Sequence, residues 1–432
     1  MKNDKKVIQS WAFFDWANSA YNLVVTSTIF PAYYTIITFT KDHGDQVNFF
    51  GFQFTNTALS NYALSFAYLL MVILLPVLSS IADYRGNKKV FMKFFTYMGG
   101  FACIGLYFFK LETLEWGIIC FIIAAMGYIG GVLFNNSYLP EIASPDQQDR
   151  VSAKGFAFGY VGSVILQLIC FVFVLKPDLF GIVDASFPAR LSFLLVGVWW
   201  IAFAQIPFRN LPDGVVRVKK LNSNVVKNGF QELSKVWNQL SRMKVMKLFL
   251  SAFFFYSMGV QTIMLAAAGF GEKTLKLGTS KLIATILIIQ IVAIGGAMLM
   301  SYFARKIGNI PILIVVVLIW IAACICGYYV ANQYQFYALA ALVGLIMGGI
   351  QSLSRSTYSK YIPEDSPDTT SFFSFYDVTE KLAIVIGLFS FAFIEELTGS
   401  MRNSIIALGG FFIIGLVVLL VLRNVEKKLA GI

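Results

Sequence analysis

The run Ala82-Asp83-Tyr84-Arg85-Gly86-Asn87 returns 222 residues later as Ala304-Arg305-Lys306-Ile307-Gly308-Asn309. Tyr138-Leu139-Pro140-Glu141 returns after 223 residues as Tyr361-Ile362-Pro363-Glu364. Two matches at nearly one offset indicate an internal repeat of about half the chain. Each match follows a long apolar run, so its meaning depends on how many such runs separate the copies. Of the 432 residues, 58% are apolar or aromatic and only 13% are charged. Soluble domains are about a quarter charged, and water would not tolerate the apolar surface this chain would expose. Disordered, collagen-like and disulfide-framework classes fall on the same ground, which leaves a multi-span membrane protein.

Runs able to cross about 30 Å of hydrocarbon fall at 9–38, 57–82, 90–109, 115–138, 151–174, 189–207, 248–270, 280–304, 310–330, 335–358, 370–394 and 403–422. They are continuous rather than alternating, which excludes a β-barrel. Six of the twelve separate equivalent points of the repeat, so the two halves share one membrane orientation. Parallel six-plus-six repeats are the internal symmetry of major facilitator transporters, whose site lies between the halves at midplane depth. The expected architecture is an all-α integral membrane protein with twelve helices in two pseudo-symmetric bundles, 1–207 and 248–432. A cytoplasmic linker, 208–247, joins them. In it Val226, Phe230, Leu233, Trp237 and Leu240 recur at helical spacing among Lys227, Glu232, Lys235 and Arg242, which reads as an amphipathic helix on the inner membrane surface.

With the N-terminus inside, 25 of the 34 Lys and Arg fall in cytoplasmic segments and 8 on the other side. That asymmetry puts both termini in the cytoplasm. It also explains the net charge of +11 without nucleic acid. No cleavable signal peptide is visible, because the segment after Met1–Lys6 contains Asp15 and runs too long. The five Cys sit in apolar runs as small apolar side chains, and Cys324-x-Cys326 lacks a partner pair. A single His, His43, builds no metal site and serves no nucleophile as base. With no phosphate-binding Gly loop either, ATP has no motor. No enzyme, cofactor or metal is expected.

Intramembrane polar side chains mark a wet cavity, since they cannot face lipid. Spans one, four, seven and ten carry them: Asp15, Asn18 and Asn22; Asn135 and Asn136; Ser257 and Gln261; Gln351, Ser354 and Arg355. Spans three, nine and twelve carry almost none. Asp15, Asn18 and Asn22 share one helix face, and Asp15 lies roughly 13 Å past Lys6 at 1.5 Å per residue. A carboxylate at that depth is costly unless paired or protonated. Asp15 is therefore read as a proton-coupling or substrate-amine group. Arg355 either binds an anionic substrate group or closes the cytoplasmic gate on Asp15. In span eleven, Asp377 and Lys381 are expected to pair at i, i+4, which leaves Glu380 needing another partner. Gly155-x-x-x-Gly159 with Gly162 permits close helix approach.

Two resemblances follow from these residues. Ser79-x-x-x-Asp83-Tyr84-x-Gly86-x-Lys88 resembles the major facilitator loop signature, with Ser79 and Tyr84 as departures and Arg85 one position late. That resemblance implies that Asp83 leans on the N-terminal end of helix eleven, near Ser371, with Arg85, Gly86, Lys88, Glu141 and Arg150 as further gating candidates. Phe14-Asp15-Trp16-Ala17-Asn18-Ser19-Ala20-Tyr21, Tyr138–Ala143, Ser152-x-x-Gly155-x-Ala157-x-Gly159-Tyr160-x-Gly162 and Gln351-x-x-Ser354-Arg355-Ser356 resemble the vacuole-effluxer family, autophagy-related amino-acid exporters and their bacterial relatives. This second resemblance spans nearly the whole chain and implies a twelve-helix transporter.

The expected function is secondary active transport, by alternating access and coupled to protons, of a small polar or zwitterionic solute such as a neutral amino acid. Asp15 would take the amine and Arg355 the carboxylate, between aromatic walls such as Tyr21, Tyr160 and Tyr376. An exporter of a larger amphiphile and a non-transporting sensor are the alternatives. The expected partners are solute, protons and lipid, for a monomer in a bacterial inner membrane.

Overall fold

The computed structural model describes residues 2–40, 43–181, 184, 186–214, 225–364, 366–429 and 431, with the side chains of 225–229 and 279 outside that description. The side chains of Val226 and Lys227 in the expected linker helix therefore lie outside the described residues. The first span begins with α1 (Lys5–Ala20), capped by Asp4, whose carboxylate accepts from the Lys6 and Val7 amides at 2.8 and 3.1 Å. It runs through a π-helical stretch, Tyr21–Ile29, into α2 (Phe30–Thr38). In that stretch the Ser27 and Thr28 hydroxyls reach carbonyls five residues back, Asn22 and Leu23, each at 2.8 Å. π-turns inside helices concentrate at functional positions, and this one carries Asn22.

A short hairpin, β1 (Gln46–Phe49) with β2 (Phe52–Thr55), follows on the face opposite the termini. Phe50 and Gly51 both have positive φ, the turn geometry a two-residue hairpin favours, and Asn48 Oδ1 accepts from the Gly51 amide at 2.8 Å. The first bundle continues with α3 (Asn56–Arg85), α4 (Lys88–Gly105), α5 (Leu114–Asn136), the single turn α6 (Leu139–Ile142), α7 (Pro145–Leu175) and α8 (Phe187–Asn210). After α9 (Val225–Arg242) the second comprises α10 (Lys244–Lys273), α11 (Thr279–Ile307), α12 (Asn309–Tyr329), α13 (Gln333–Tyr361), α14 (Thr369–Thr398) and α15 (Met401–Leu429).

Among the described residues, ten helices are long and apolar enough to cross a membrane on that ground alone. The other two of the twelve are the first, which holds Asp15 and the π stretch, and α14, which holds Asp377, Glu380 and Lys381. The π stretch divides the first into α1 of 16 residues and α2 of 9, and α14 carries those three charged side chains close together. Several helices also outrun their apolar runs. α7 starts six residues before 151, with Pro145 in its first turn, where a missing N–H does no harm.

Packing repeats with a period of six spans. α1 packs on α7 and α8 as α10 does on α14 and α15; α3 meets α5 as α11 meets α13; α4 touches α5 and α8 as α12 touches α13 and α15. The bundles join through α3 with α14 and through α7 with α11 and α13. The sequence repeat sits at equivalent joints. Gly86 and Gly308 turn the chain with φ of 67° and 91°. The Tyr138 hydroxyl donates to the Pro212 carbonyl at 3.0 Å, and the Tyr361 hydroxyl to Glu426 Oε1 at 2.5 Å. Each tyrosine thus holds the chain near the C-terminal end of the last helix of its own bundle. α9 forms in the linker over Val225–Arg242. It packs on α3 and α14, burying Val236 and Leu240, while Phe230 and Trp237 stay exposed.

Small residues set the α11–α13 distance. A Cβ at Gly348 would run into the Ala293 carbonyl group, whose carbon lies 3.0 Å away, and backbone cannot yield as a flexible side chain would. Gly348→Ala should lower the melting temperature of detergent-solubilised protein by several degrees, consistent with roughly 1–3 kcal/mol of overpacking. Gly410→Ala, with nothing within 4 Å, should leave it unchanged. Equal melting of the two variants would contradict the packing described.

Candidate functional site

Arg355 reaches from α13 across the bundle boundary to α1, with Nη1 3.0 Å from Asp15 Oδ2. Three of its four other donors are also engaged: Nη1 with Asn136 Oδ1 at 3.1 Å, Nε with Ser152 Oγ at 3.0 Å, and Nη2 with the Ser152 carbonyl at 2.8 Å. The guanidinium lies 4.7 Å from the Trp11 ring centroid and 4.2 Å from that of Phe156, and aromatic faces favour a cation. Asn135 Nδ2 donates to Asp15 Oδ1 at 3.2 Å, and Trp11 Nε1 anchors the Asn135 carbonyl at 2.8 Å. Asp15 is 8% exposed and Arg355 3%, so both charges depend on each other and on these amides. Gly155 makes room for them: a Cβ there would lie 2.7 Å from Arg355 Nη2 and would also strike the Asp15 carboxylate. Gly159 and Gly162 perform the helix approach expected of all three, against Ser19 and Trp16.

Between this pair and the termini lies a polar layer. Asp83 accepts from the Ser371 amide and hydroxyl at 2.6 and 2.7 Å and from the Thr370 amide at 3.3 Å, at the positive end of α14. Lys88 pairs with Glu141 at 2.6 Å, lies over the Tyr138 ring, and reaches Thr369 across the boundary at 3.4 Å. Lys360 and Asn309 of the second bundle hold Asp149 of the first at 2.6 and 2.7 Å. Ser152 donates to the Ser352 carbonyl at 2.7 Å, and one turn of α13 above Arg355, at the cavity, Tyr160 donates to Gln351 Oε1 at 2.6 Å. At the rim Lys235 of α9 reaches Asp368 at 3.3 Å. Burial pushes the Asp368 carboxyl up from its ordinary value, with nearby Glu232 adding to the shift and Lys235 opposing it. A hydrogen bond from Lys89 holds the exposed Asp213 carboxyl below its ordinary value. Among the described residues, every hydrogen bond and ion pair joining the two bundles lies at the level of Gln351 or nearer the termini. The bundles are pinned at the face that carries the termini and unpinned at the other.

Above the pair opens a cavity of about 130 Å³, space for on the order of ten waters. Asp15, Asn18, Asn22, Asn136, Gln261, Gln351, Arg355, Tyr376, Asp377, Glu380 and Lys381 all line it. Its walls come from α1 with its π stretch, α3, α5, α7, α10, α13 and α14; among the described residues α4, α8, α12 and α15 contribute nothing. A separate apolar cavity of about 60 Å³ inside the second bundle, beside Phe270, Trp320 and Phe336, holds none of the charged groups.

Residues 3–430 match the family described as "Vacuole effluxer Atg22 like". The chain belongs to the vacuole effluxer family. It is 31% identical to the MFS-type transporter YxiO of Bacillus subtilis over 420 residues, covering 97% of this chain and 95% of that one. It is 23% identical to autophagy-related protein 22 of Yarrowia lipolytica, covering 83% and 74% of the two chains. Its fold is that of the fucose transporter FucP in the outward conformation, with a TM-score of 0.70, 13% identity and coverage of 97% and 99%. The proton:xylose symporter XylE gives 0.71, 11% identity and coverage of 95% and 94%. This vacuole effluxer relative is therefore a major facilitator transporter.

Several side chains of this effluxer lie elsewhere than expected. Tyr21 does not face the cavity. It lies about 120° round the helix from Asp15 and packs against Tyr128 and Trp200, with centroids 5.4 and 5.7 Å away. Asn135 stands behind Asp15, and Tyr160 behind Gln351. Lys381 does not pair with Asp377. Its ammonium meets Glu380 at 2.5 Å, because the longer Glu380 side chain, steadied by Gln261 at 3.1 Å, reaches it. Arg85 and Arg150 make no ion pair among the described residues, and Gly86 ends α3 rather than touching the second bundle. Tyr68, Tyr128, Phe253 and Tyr256 were missed, since an aromatic ring in an apolar run carries little signal of its own, and Asp149 was missed because it precedes the run 151–174 among other loop charges.

Asp83→Asn keeps the shape and loses the charge held by the α14 amides. Hydrogen bonds to charged groups contribute about 1.5–3 kcal/mol, so the opened fraction of the terminal face should rise roughly tenfold or more. Alkylation of a cysteine placed at buried Ser356 measures this; an unchanged rate would contradict the role assigned to Asp83.

Proposed function

We propose that this transporter moves a small zwitterionic solute, of the neutral amino-acid kind, by alternating access coupled to protons. The observation that supports the reading best is the Asp15–Arg355 pair, which floors a midplane cavity walled by both bundles. The Lys and Arg asymmetry makes the terminal face cytoplasmic, so the state described is closed inward and faces outward. The moving units are 1–207 and 248–432, joined by 208–247, in a monomer of a bacterial cytoplasmic membrane, and the family's description as effluxers supports export.

Inward opening has to separate Asp15 from Arg355, and an unpaired charge left at that depth costs about 3–5 kcal/mol. A proton on Asp15 removes the carboxylate's share of that cost and leaves the Arg355 charge to be met by water as the bundles part, which links protonation to the change of state. Arg355 acts here as the gate rather than as a ligand for substrate carboxylate, because four of its five N–H donors are held by Asp15, Asn136 and Ser152 of the first bundle. Asn18, Asn22, Asn136, Gln261 and Gln351 line the cavity as hydrogen-bonding groups for the solute.

In proteoliposomes, Asp15→Asn should abolish the response of leucine flux to a pH gradient, with at least a tenfold loss of driven transport. Exchanging the two residues, Asp15→Arg with Arg355→Asp, should restore part of it. PH-dependent flux unchanged in Asp15→Asn, or no flux of any solute by the unmodified protein, would refute the proposal.

A further inference from the structure

Five charged side chains line the cavity: Asp15, Arg355, Asp377, Glu380 and Lys381. Four cancel in two pairs, Arg355 with Asp15 at 3.0 Å and Lys381 with Glu380 at 2.5 Å. Asp377 remains. It is 1% exposed, and neither of its carboxylate oxygens has a hydrogen-bond partner among the described residues. Lys381, one turn along the same helix, gives its ammonium to Glu380, while Arg355 is committed to Asp15, Asn136 and Ser152. Asn18 Oδ1 is likewise buried at the cavity without a partner. The unmet groups are therefore acceptors, and their complement is a donor-rich cation.

The wall around Asp377 fits the same ligand. Tyr376, its neighbour, stacks on Phe253 with centroids 4.2 Å apart and planes at 14°, and Tyr256 meets Phe253 edge-on at 5.6 Å. Ring faces attract an ammonium and do nothing for a carboxylate. We infer that Asp377 is the docking point for a primary ammonium group of the solute, whose single positive charge brings the cavity to neutrality. The inference rests on the transporter reading above and deepens it: the cationic end of the solute docks on α14, away from the Asp15 gate.

The test uses full-length protein in detergent and three probes: L-leucinamide, an amine without a carboxylate; L-leucine; and 4-methylpentanoate, a carboxylate without an amine. Ligands raise the melting temperature of the state they bind. Leucinamide and leucine should stabilise the unmodified protein, and 4-methylpentanoate should not. D377N should weaken the apparent affinity for both amines at least tenfold, and D377E should recover most of it. A D377N protein that still responds to leucinamide, an equal response of the unmodified protein to 4-methylpentanoate, or no response to either amine would overturn the assignment. If D377N fails to fold, the comparison of the three probes on the unmodified protein and D377E decides it. Leucine flux into liposomes separates the two readings: flux that persists in D377N sinks only the docking site, and no flux in the unmodified protein sinks the transporter reading.

Discussion

A carboxylate and a guanidinium taken out of water are each other's only adequate solvent. Asp15 and Arg355 stand in that relation, from helices on opposite sides of the bundle boundary, and neither can leave without exposing the other. What surrounds them serves the contact. Trp11 and Phe156 sandwich the guanidinium, Asn135 and Asn136 take the spare hydrogen-bonding capacity, and Gly155 removes the one side chain that would block it. Such a contact is weak evidence for stability, because apolar packing would do as well; under the alternating access proposed above, its use is to distinguish two arrangements of the bundles. Below it, the seat of Asp83 on α14 and the clasp of Asp149 by Lys360 and Asn309 repeat the device at the terminal face.

The two halves share a scaffold and differ in charge. Asp83 of the first copy corresponds to Arg305 of the second in the repeated run, yet only Asp83 is buried in the interface. The second copy contributes Asn309 instead, on the far side of the same turn. The backbone repeats because packing demands it, and the polar chemistry diverges because each joint meets a different partner. The cavity shows the same division. One wall pairs an acid with a base, while the other leaves Asp377 without a hydrogen-bond partner among the described residues.

Most of the architecture was legible in the residue order. The twelve runs, the offset repeat and the polar spacing along spans one, four, seven and ten rest on local regularities that a membrane enforces on any chain. The Asp15 and Arg355 positions could be marked for the same reason, since charge at that depth is never incidental. What could not be read was which charges meet. Asp377 and Lys381 are helical neighbours, but side-chain length and the steadying of Glu380 by Gln261 decided otherwise. Tyr21 sits within the most distinctive run of the sequence and still faces the core, and α9 turned Val236 rather than Trp237 inward. Those outcomes depend on tertiary neighbours hundreds of residues away, as does the use of Gly155 as a vacancy for an ion pair.

The role proposed for the Asp15–Arg355 contact is to hold the terminal face shut. Pulsed electron paramagnetic resonance reads it directly, with one pair of spin labels at exposed Asp146 and Lys306 on the terminal face and another at exposed Phe39 and Leu397 on the opposite face. In the unmodified protein the terminal pair should give a single short distance. Arg355→Ala should add a longer population there and a shorter one at the opposite face. Distances unmoved at both faces by that substitution would contradict the account.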